Sequence, residues 1–573
     1  MPVNCREKIL SNDYYDVIMD FPYQLLEDST EDLCYADIDG IFNVVYFNRA
    51  ILVNAQEYFF SYRSIPKLYG LMQEGSVAGG FDPGNLIASG ITQIQRPPLS
   101  LSGRGVVICI IDTGIDYTNP VFRREDGSSR ILAIWDQTVQ TGEPPQGFQY
   151  GTEYKTEEIE RALQSDAPFS VVPSRDENGH GTALASVAAG SRINGGLGFV
   201  GAAPDADIVV VKLKECKQYL RDFYLVPRGV PAYQENDIML AVQYADTFAE
   251  PFARPTVICL GLGTNYGDHS GSSPLARYLS NIAVKRSRAV VVAGGNEGNA
   301  AHHYQGNLNN RGNAGENSRV TEVRVESGNN GFFLELWGSL PDIFTISVRT
   351  PGGEPIPSVR LGIRGSITYS FVYERSRVTI AGYLVEPASG EELIWIRVQD
   401  PTPGIWTFRV EAVGEIHNGE YHMWLPITGF MSAPAYFLES SPYVTLTEPS
   451  LAGNIISVST YNAENNSFYI NSGRGFSRNG AIHPDFAAPG VNVSTVRGRE
   501  TGSSLAAAIT AGAVAQFMQW AVVERNNPVV ESQEIKNYFI RGAARSFDMT
   551  YPNREWGYGR LNMVGTFDAL VGV

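Results

Sequence analysis

The stretch VVICIIDTGID, residues 106–116, decides the fold. An unbroken apolar run from Val106 to Ile111 ends on Asp112, and a Thr-Gly turn follows. A strand apolar on consecutive positions buries both faces, which marks the interior of a parallel sheet covered by helices on either side. DIVVVKL (207–213), TVICLGLG (256–263) and the run from Ala289 to Asn296 repeat the pattern, with helical segments between them. The expected class is α/β, a parallel sheet doubly wound or nearly so. Asp112 then lies at the carboxyl edge of the sheet, where open α/β sheets bind their ligands.

Working outward, the chain divides into zones. Residues 1–73 alternate short strand-like runs, such as Tyr15–Met19 and Phe42–Phe47, with polar stretches, and read as a small α+β unit. EGSVAGGFDPG (74–84) begins a linker extending to residue 88. The α/β pattern occupies 89–315 and resumes over 441–573. Between them, residues 316–440 alternate with period two: Phe344, Ile346 and Val348 against Thr345 and Ser347, and Trp406, Phe408 and Val410 against Thr407 and Arg409. Turn signals PGG (351–353), PASG (387–390) and PTPG (401–404) punctuate this zone, so it reads as an inserted all-β unit, with a jelly roll as the specific expectation. Trp337, Trp395 and Trp424 read as core residues of that unit rather than as sugar platforms.

Composition excludes several classes. Among 573 residues, 43% are hydrophobic and 18% charged, too apolar for general disorder. A net charge of −17 argues against a nucleic-acid partner and against a polybasic membrane anchor. The N-terminus carries charges where a secretory signal would have its apolar core, which predicts an intracellular protein. The uncharged stretch Ser504–Val523 has the length of a membrane span, but its alanines, glutamines and hydroxyls predict a buried helix and no membrane span. Five scattered cysteines without a CxxC motif form neither a disulfide framework nor a zinc site.

Three segments carry reactive side chains at strand ends or helix starts. Asp112 ends the first strand. His180, in DENGHGTALASVAAG, lies between two glycines and opens an alanine-rich helix, whose dipole favours the neutral imidazole that a general base needs. Ser504, in TGSSLAAAITAG, opens the long apolar helix, so its own N–H can face an oxyanion. Singly, these residues are equally readable as a turn, an exposed cap and an N-cap. Together they stand in the order Asp, His, Ser, which is the subtilisin order.

The chain is therefore identified as resembling the subtilisin-like serine proteases (subtilases, peptidase family S8). DTGID, NGHGTALA and GSSLA match the family's aspartate, histidine and serine motifs, and AGGNEG (293–298) resembles its oxyanion-asparagine motif. SGITQIQRPPL (89–99), GAAPDADIVVVKL (201–213) and HPDFAAPG (483–490) resemble further family segments. The resemblance implies catalytic Asp112, His180 and Ser504, an oxyanion hole of Asn296 with the Ser504 N–H, and substrate binding along Gly261, Leu262 and Gly263. It implies a protein or peptide substrate and no required cofactor; structural calcium occurs in the family, but no D-x-[DN]-x-[DN]-G loop supports it here. Ser503, Leu505 and Ala508 depart from the usual threonine, methionine and proline, and residues 214–236 exceed the length usual in simple subtilisins.

A leaderless N-terminal unit, an inserted β unit and an intact triad together resemble the clostridial germination-specific Csp proteases. That resemblance implies that residues 1–73 are a prodomain, both chaperone and inhibitor, cut autocatalytically between Met72 and Ala88. Its end would stay in the substrate groove as a parallel strand. It further implies a spore location, activation of a cortex-lytic enzyme precursor at germination, and contacts with other germination proteins. The alternatives are an inactive sensor or scaffold, and a general cytoplasmic processing protease.

Overall fold

Val107–Asp112 occupies the middle of a nine-stranded sheet in the computed structural model, which describes residues 5–20, 33–50, 62–193, 198–250, 254–309 and 317–571. From one edge the order is Ser467–Phe468, Ile456–Asn462, Arg288–Ala293, Thr256–Leu260, Val107–Asp112, Asp207–Lys212, Ile131–Asp136 and Thr152–Lys155. Phe486–Pro489 pairs with Ile456–Asn462 off this path. The inner pairings are parallel, and only the outermost strand at each edge is antiparallel.

The unbroken apolar runs are explained by what covers them. Ile108 and Ile110 look to one face, where the helices His180–Ala189 and Ser503–Met518 pack. Val107, Cys109 and Ile111 look to the other, against Glu235–Ala249 and Pro274–Ala283. Each such side chain, taken fully out of water, stabilises the sheet by about 1.5–3 kcal/mol. The helix that could span a membrane by length and composition, Ser503–Val523, instead lies inside this core, with every residue from Ser503 to Met518 buried. All five cysteines are buried, and none of them forms a disulfide.

The N-terminal unit is a short helix, Arg6–Leu10, beside an antiparallel sheet in the order Tyr14–Met19, Phe42–Asn48, Leu33–Ile38. Ile18, Phe42, Val44 and Tyr46 join the core that contains helices Glu235–Ala249 and Pro274–Ala283. The rest of the sequence reading for 21–32 and 51–61 lies outside the described residues.

Between the two halves of the α/β body stand two antiparallel sheets over a common core. The six-stranded sheet runs His303–Asn307, Glu420–Trp424, Gly331–Gly338, Glu392–Gln399, Arg377–Tyr383, Arg364–Ser370. The five-stranded one runs Pro355–Val359, Phe344–Arg349, Gly404–Ala412, Ser318–Val325, Ala435–Phe437. Phe344, Ile346, Val348, Trp406, Phe408 and Val410 fill the space between them. The expected start of this unit at residue 316 falls outside the described residues, and its first strand comes earlier, at His303. The sequence hides that strand because HYQGN offers no apolar alternation; Tyr421 packs against it instead. Trp337 and Trp424 are buried, and Trp395 half-buried, against the α/β body rather than between the two sheets.

Candidate active site

Asp112, His180 and Ser504 meet at the carboxyl edge of the sheet. His180 Nδ1 lies 2.8 Å from Asp112 Oδ1, and Nε2 lies 2.9 Å from Ser504 Oγ. All three are fully buried. Asp112 Oδ1 also accepts the Thr113 N–H at 2.7 Å. The turn after Asp112 is tied to the start of the His180 helix by Asp176. Its Oδ1 accepts Thr113 Oγ1 at 2.8 Å and Gly179 N–H at 2.7 Å, while Oδ2 accepts Thr182 N–H and Oγ1 at 2.9 and 2.6 Å. Thr113 Oγ1 in turn accepts the Gly181 N–H at 2.9 Å. Position 181 has to be glycine, because a Cβ there would collide with the Gly114 carbonyl.

The electrostatics differ from the helix-dipole expectation. Burial pushes the His180 imidazole down, but the Asp112 carboxylate, through its charge and its hydrogen bond, outweighs burial and raises it above the usual histidine value. Asp176 and Glu500 add to the rise.

Asn296 and Ser504 frame one point. The Asn296 Oδ1 accepts the Ser503 N–H at 3.0 Å, and Ser503 Oγ accepts the Gly295 N–H at 3.1 Å. The serine thus supplies a hydroxyl where the family has threonine, and the asparagine's oxygen is committed, leaving its NH2 as the donor. The Ser504 N–H donates at 3.2 Å to the carbonyl of Met72.

That carbonyl belongs to a strand of the chain itself. Leu68–Leu71 lies between Tyr233–Gln234 and Leu262–Gly263, with Gly70 opposite Gly263, Leu71 opposite Leu262, and Tyr69 opposite Tyr233. The Met72 N–H donates to the Gly261 carbonyl at 3.0 Å. Met72 is buried, its sulfur 3.1 Å from where a Cβ on Gly263 would stand, and a Cβ on Gly502 would come within 2.5 Å of the Met72 carbonyl oxygen. Past the triad the chain continues as Glu74–Val77, paired with Gly498–Thr501. There Glu74 Oε2 accepts Asn471 Nδ2 at 2.9 Å and the Tyr469 hydroxyl. The strand is antiparallel to both cleft neighbours, where a parallel strand was expected. Its direction is set by its ends: it arrives from the N-terminal unit past Tyr233 and must leave along Gly498–Thr501.

The family model "Subtilase family" of peptidase S8 matches residues 103–323 and 438–559. The chain is a subtilase. The unmatched middle coincides with most of the inserted sheets. Thermitase of Thermoactinomyces vulgaris is 25% identical over 256 residues, which is 44% of this chain and 68% of thermitase. Serine protease AprX of Bacillus subtilis (strain 168) is 27% identical over 214 residues, 37% of each chain. The solved structure of the Clostridium perfringens CspB protease superposes with a TM-score of 0.75 at 28% identity, covering 86% of this chain and 100% of that one. As a member of this family the chain is a serine endopeptidase acting on protein substrates.

Several residues of this subtilase's site escaped the sequence reading. Glu74 sits in a stretch read only as linker, and Met72 was named only as the near limit of the cleavage window, because a substrate-like strand has no composition of its own. Asp176 had a signal: an aspartate a few residues before a helix start is a capping candidate. The extended segment 214–236 forms the strand Tyr233–Gln234 and the helix Gln218–Tyr224, and both meet the N-terminal part of the chain. Among the described residues, no group of three or more His, Cys, Asp or Glu side chains could hold a metal ion.

Proposed function

We propose that this subtilase is a zymogen that cuts its own Met72–Gln73 bond, with residues 1–72 as its prodomain. One observation carries the reading: the Met72 carbonyl oxygen rests on the Ser504 N–H while the chain lies paired on both sides of the triad. Ser504 Oγ attacks the Met72 carbonyl carbon as His180 Nε2 takes the hydroxyl proton. Asp112 holds Nδ1–H and the imidazolium that forms. The oxyanion receives the Ser504 N–H and the Asn296 NH2, a donor worth about 10²–10³ in rate. His180 returns the proton to the Gln73 nitrogen, which leaves as an amine, and water then releases Met72 as a carboxylate.

After the cut the 1–72 fragment stays docked and blocks the cleft, and the inserted sheets act as a jelly-roll module of the same body. The resemblance of its sequence to the clostridial Csp proteases favours a role in the spore, where the processed enzyme cuts a cortex-lytic enzyme precursor at germination. The test is intact-mass analysis of the purified wild type beside Ser504→Ala. The wild type should give fragments 1–72 and 73–573, and the variant a single uncut chain. An uncut wild type, or a cut Ser504→Ala, contradicts the reading. For the germination role, the processed protein should shorten a cortex-lytic precursor in spore extract, and Ser504→Ala should leave it unchanged.

A further inference from the structure

We infer that this protease favours glycine over any larger residue at the third residue before the cleaved bond, because the inserted β unit closes the cleft over that position. The inference rests on the Met72–Gln73 reading, which makes Gly70 that residue. Gly70 is buried, whereas an extended segment in an open cleft would turn this residue to solvent. A Cβ on Gly70 would stand 2.6 Å from Ile427 Cδ1 and 3.1 Å from Phe430 Cε1. Its backbone φ lies outside the left-handed region, so the obstacle to a side chain is the roof and not the conformation.

The roof is the turn Thr428–Phe430 with Ile427 before it, and it is fixed on several sides. Glu297, next to Asn296, accepts the Thr428 N–H at 3.0 Å and the Thr428 hydroxyl at 3.3 Å, and it pairs with His302 Nδ1 at 2.6 Å. The Leu425 N–H donates to the His302 carbonyl at 2.9 Å, and Asn265 Nδ2 to the Leu425 carbonyl at 3.1 Å. The Phe430 ring stacks near Tyr266, centroids 6.2 Å apart. Ile427 is 3% and Phe430 1% exposed, so neither side chain has solvent to swing into. The turn lies between the two stretches that match the family model, so the restriction belongs to this chain's insertion and not to the common subtilase body. The same preference applies to any protein segment that binds as Leu68–Met72 does: a side chain there would have to displace Ile427 and Phe430.

Self-cleavage of the full chain after dilution from denaturant, followed by intact mass, tests this. Four proteins are compared: wild type, Gly70→Ala, Ile427→Val, which removes only the obstructing Cδ1, and the double variant. Gly70→Ala should process about ten-fold or more slowly than wild type, the scale of overpacking a closed site. The double variant should return to within about three-fold of Ile427→Val, which also shows that Gly70→Ala does not act by misfolding the N-terminal unit. Wild-type speed in Gly70→Ala overturns the inference, as does slowing that Ile427→Val fails to relieve. Cleavage of the wild type somewhere other than Met72–Gln73 overturns the underlying reading instead, and it shows in the wild-type masses before any substitution is compared.

Discussion

In the proposed mechanism His180 must be neutral to take the Ser504 proton, and Asp112, after outweighing burial, raises its affinity for a proton. The rate of self-cleavage should therefore fall, as pH drops, through a midpoint above the ordinary histidine value of about 6.5. Asp112→Asn removes the opposing charge, leaves burial dominant, and should move that midpoint down while costing about 10⁴ in rate. A midpoint that rises or stays put in Asp112→Asn would contradict the assignment of cause. In stability the shift runs the other way: the His180–Asp112 contribution is complete below the unfolded value and lost as pH rises through the raised one. Asp176 acts through its neighbours and is a positioning residue. Asp176→Ala frees the Thr113 turn from the helix start and should slow processing by about 10²-fold, the cost of a misplaced base, while the acid midpoint moves down. An unchanged midpoint would reduce Asp176 to a structural cap. At this scale the sequence was informative where a residue type and its glycines recur in a motif, as at His180 and Ser504. It was silent on Glu297 and marked Asp176 only as a capping candidate, because the ties to Thr428 and to Thr113 run between elements distant in the chain.

Among the elements, the Ser503–Met518 helix carries Ser504 and crosses the His180 helix closely enough that Gly512 has no room for a side chain. A Cβ there would lie 2.7 Å from the Ala188 carbonyl and overlap the Ala202 methyl. Gly512→Val should cost about 1–3 kcal/mol or more in urea unfolding, because a backbone carbonyl cannot rotate aside. An unchanged midpoint would mean the two helices do not approach as described. The long strands and this helix were legible because burial on all sides leaves continuous apolar runs. Tyr233–Gln234, His303–Asn307 and Leu68–Leu71 were not: each is short and is held by main-chain pairing, which almost any side chains permit.

The N-terminal unit is held to the rest of the molecule by more than the cleft. Asp16 in the N-terminal unit meets Lys217 Nζ at 2.5 Å and Gln234 Nε2 at 2.5 Å, both buried, and its N–H donates to the Tyr219 hydroxyl at 2.8 Å. Residues 214–236 thus form a platform for the described part of the N-terminal unit. Lys217→Met leaves Asp16 charged, buried and without its cation, so retention of the cut fragment should weaken by about 3–5 kcal/mol. Gel filtration reads this directly: fragment 1–72 should co-elute with wild type and separate from Lys217→Met, and co-elution in both would contradict the platform.

Everything at the three scales depends on the chain lying across its own triad, which makes the first cut a reaction within one molecule. The direct measurement is the first-order rate of appearance of the 73–573 fragment over about a hundred-fold dilution of refolding protein. The rate constant should not change with concentration, and the new N-terminus should be Gln73. A rate that falls in proportion to dilution would show one molecule cutting another, and would contradict the account.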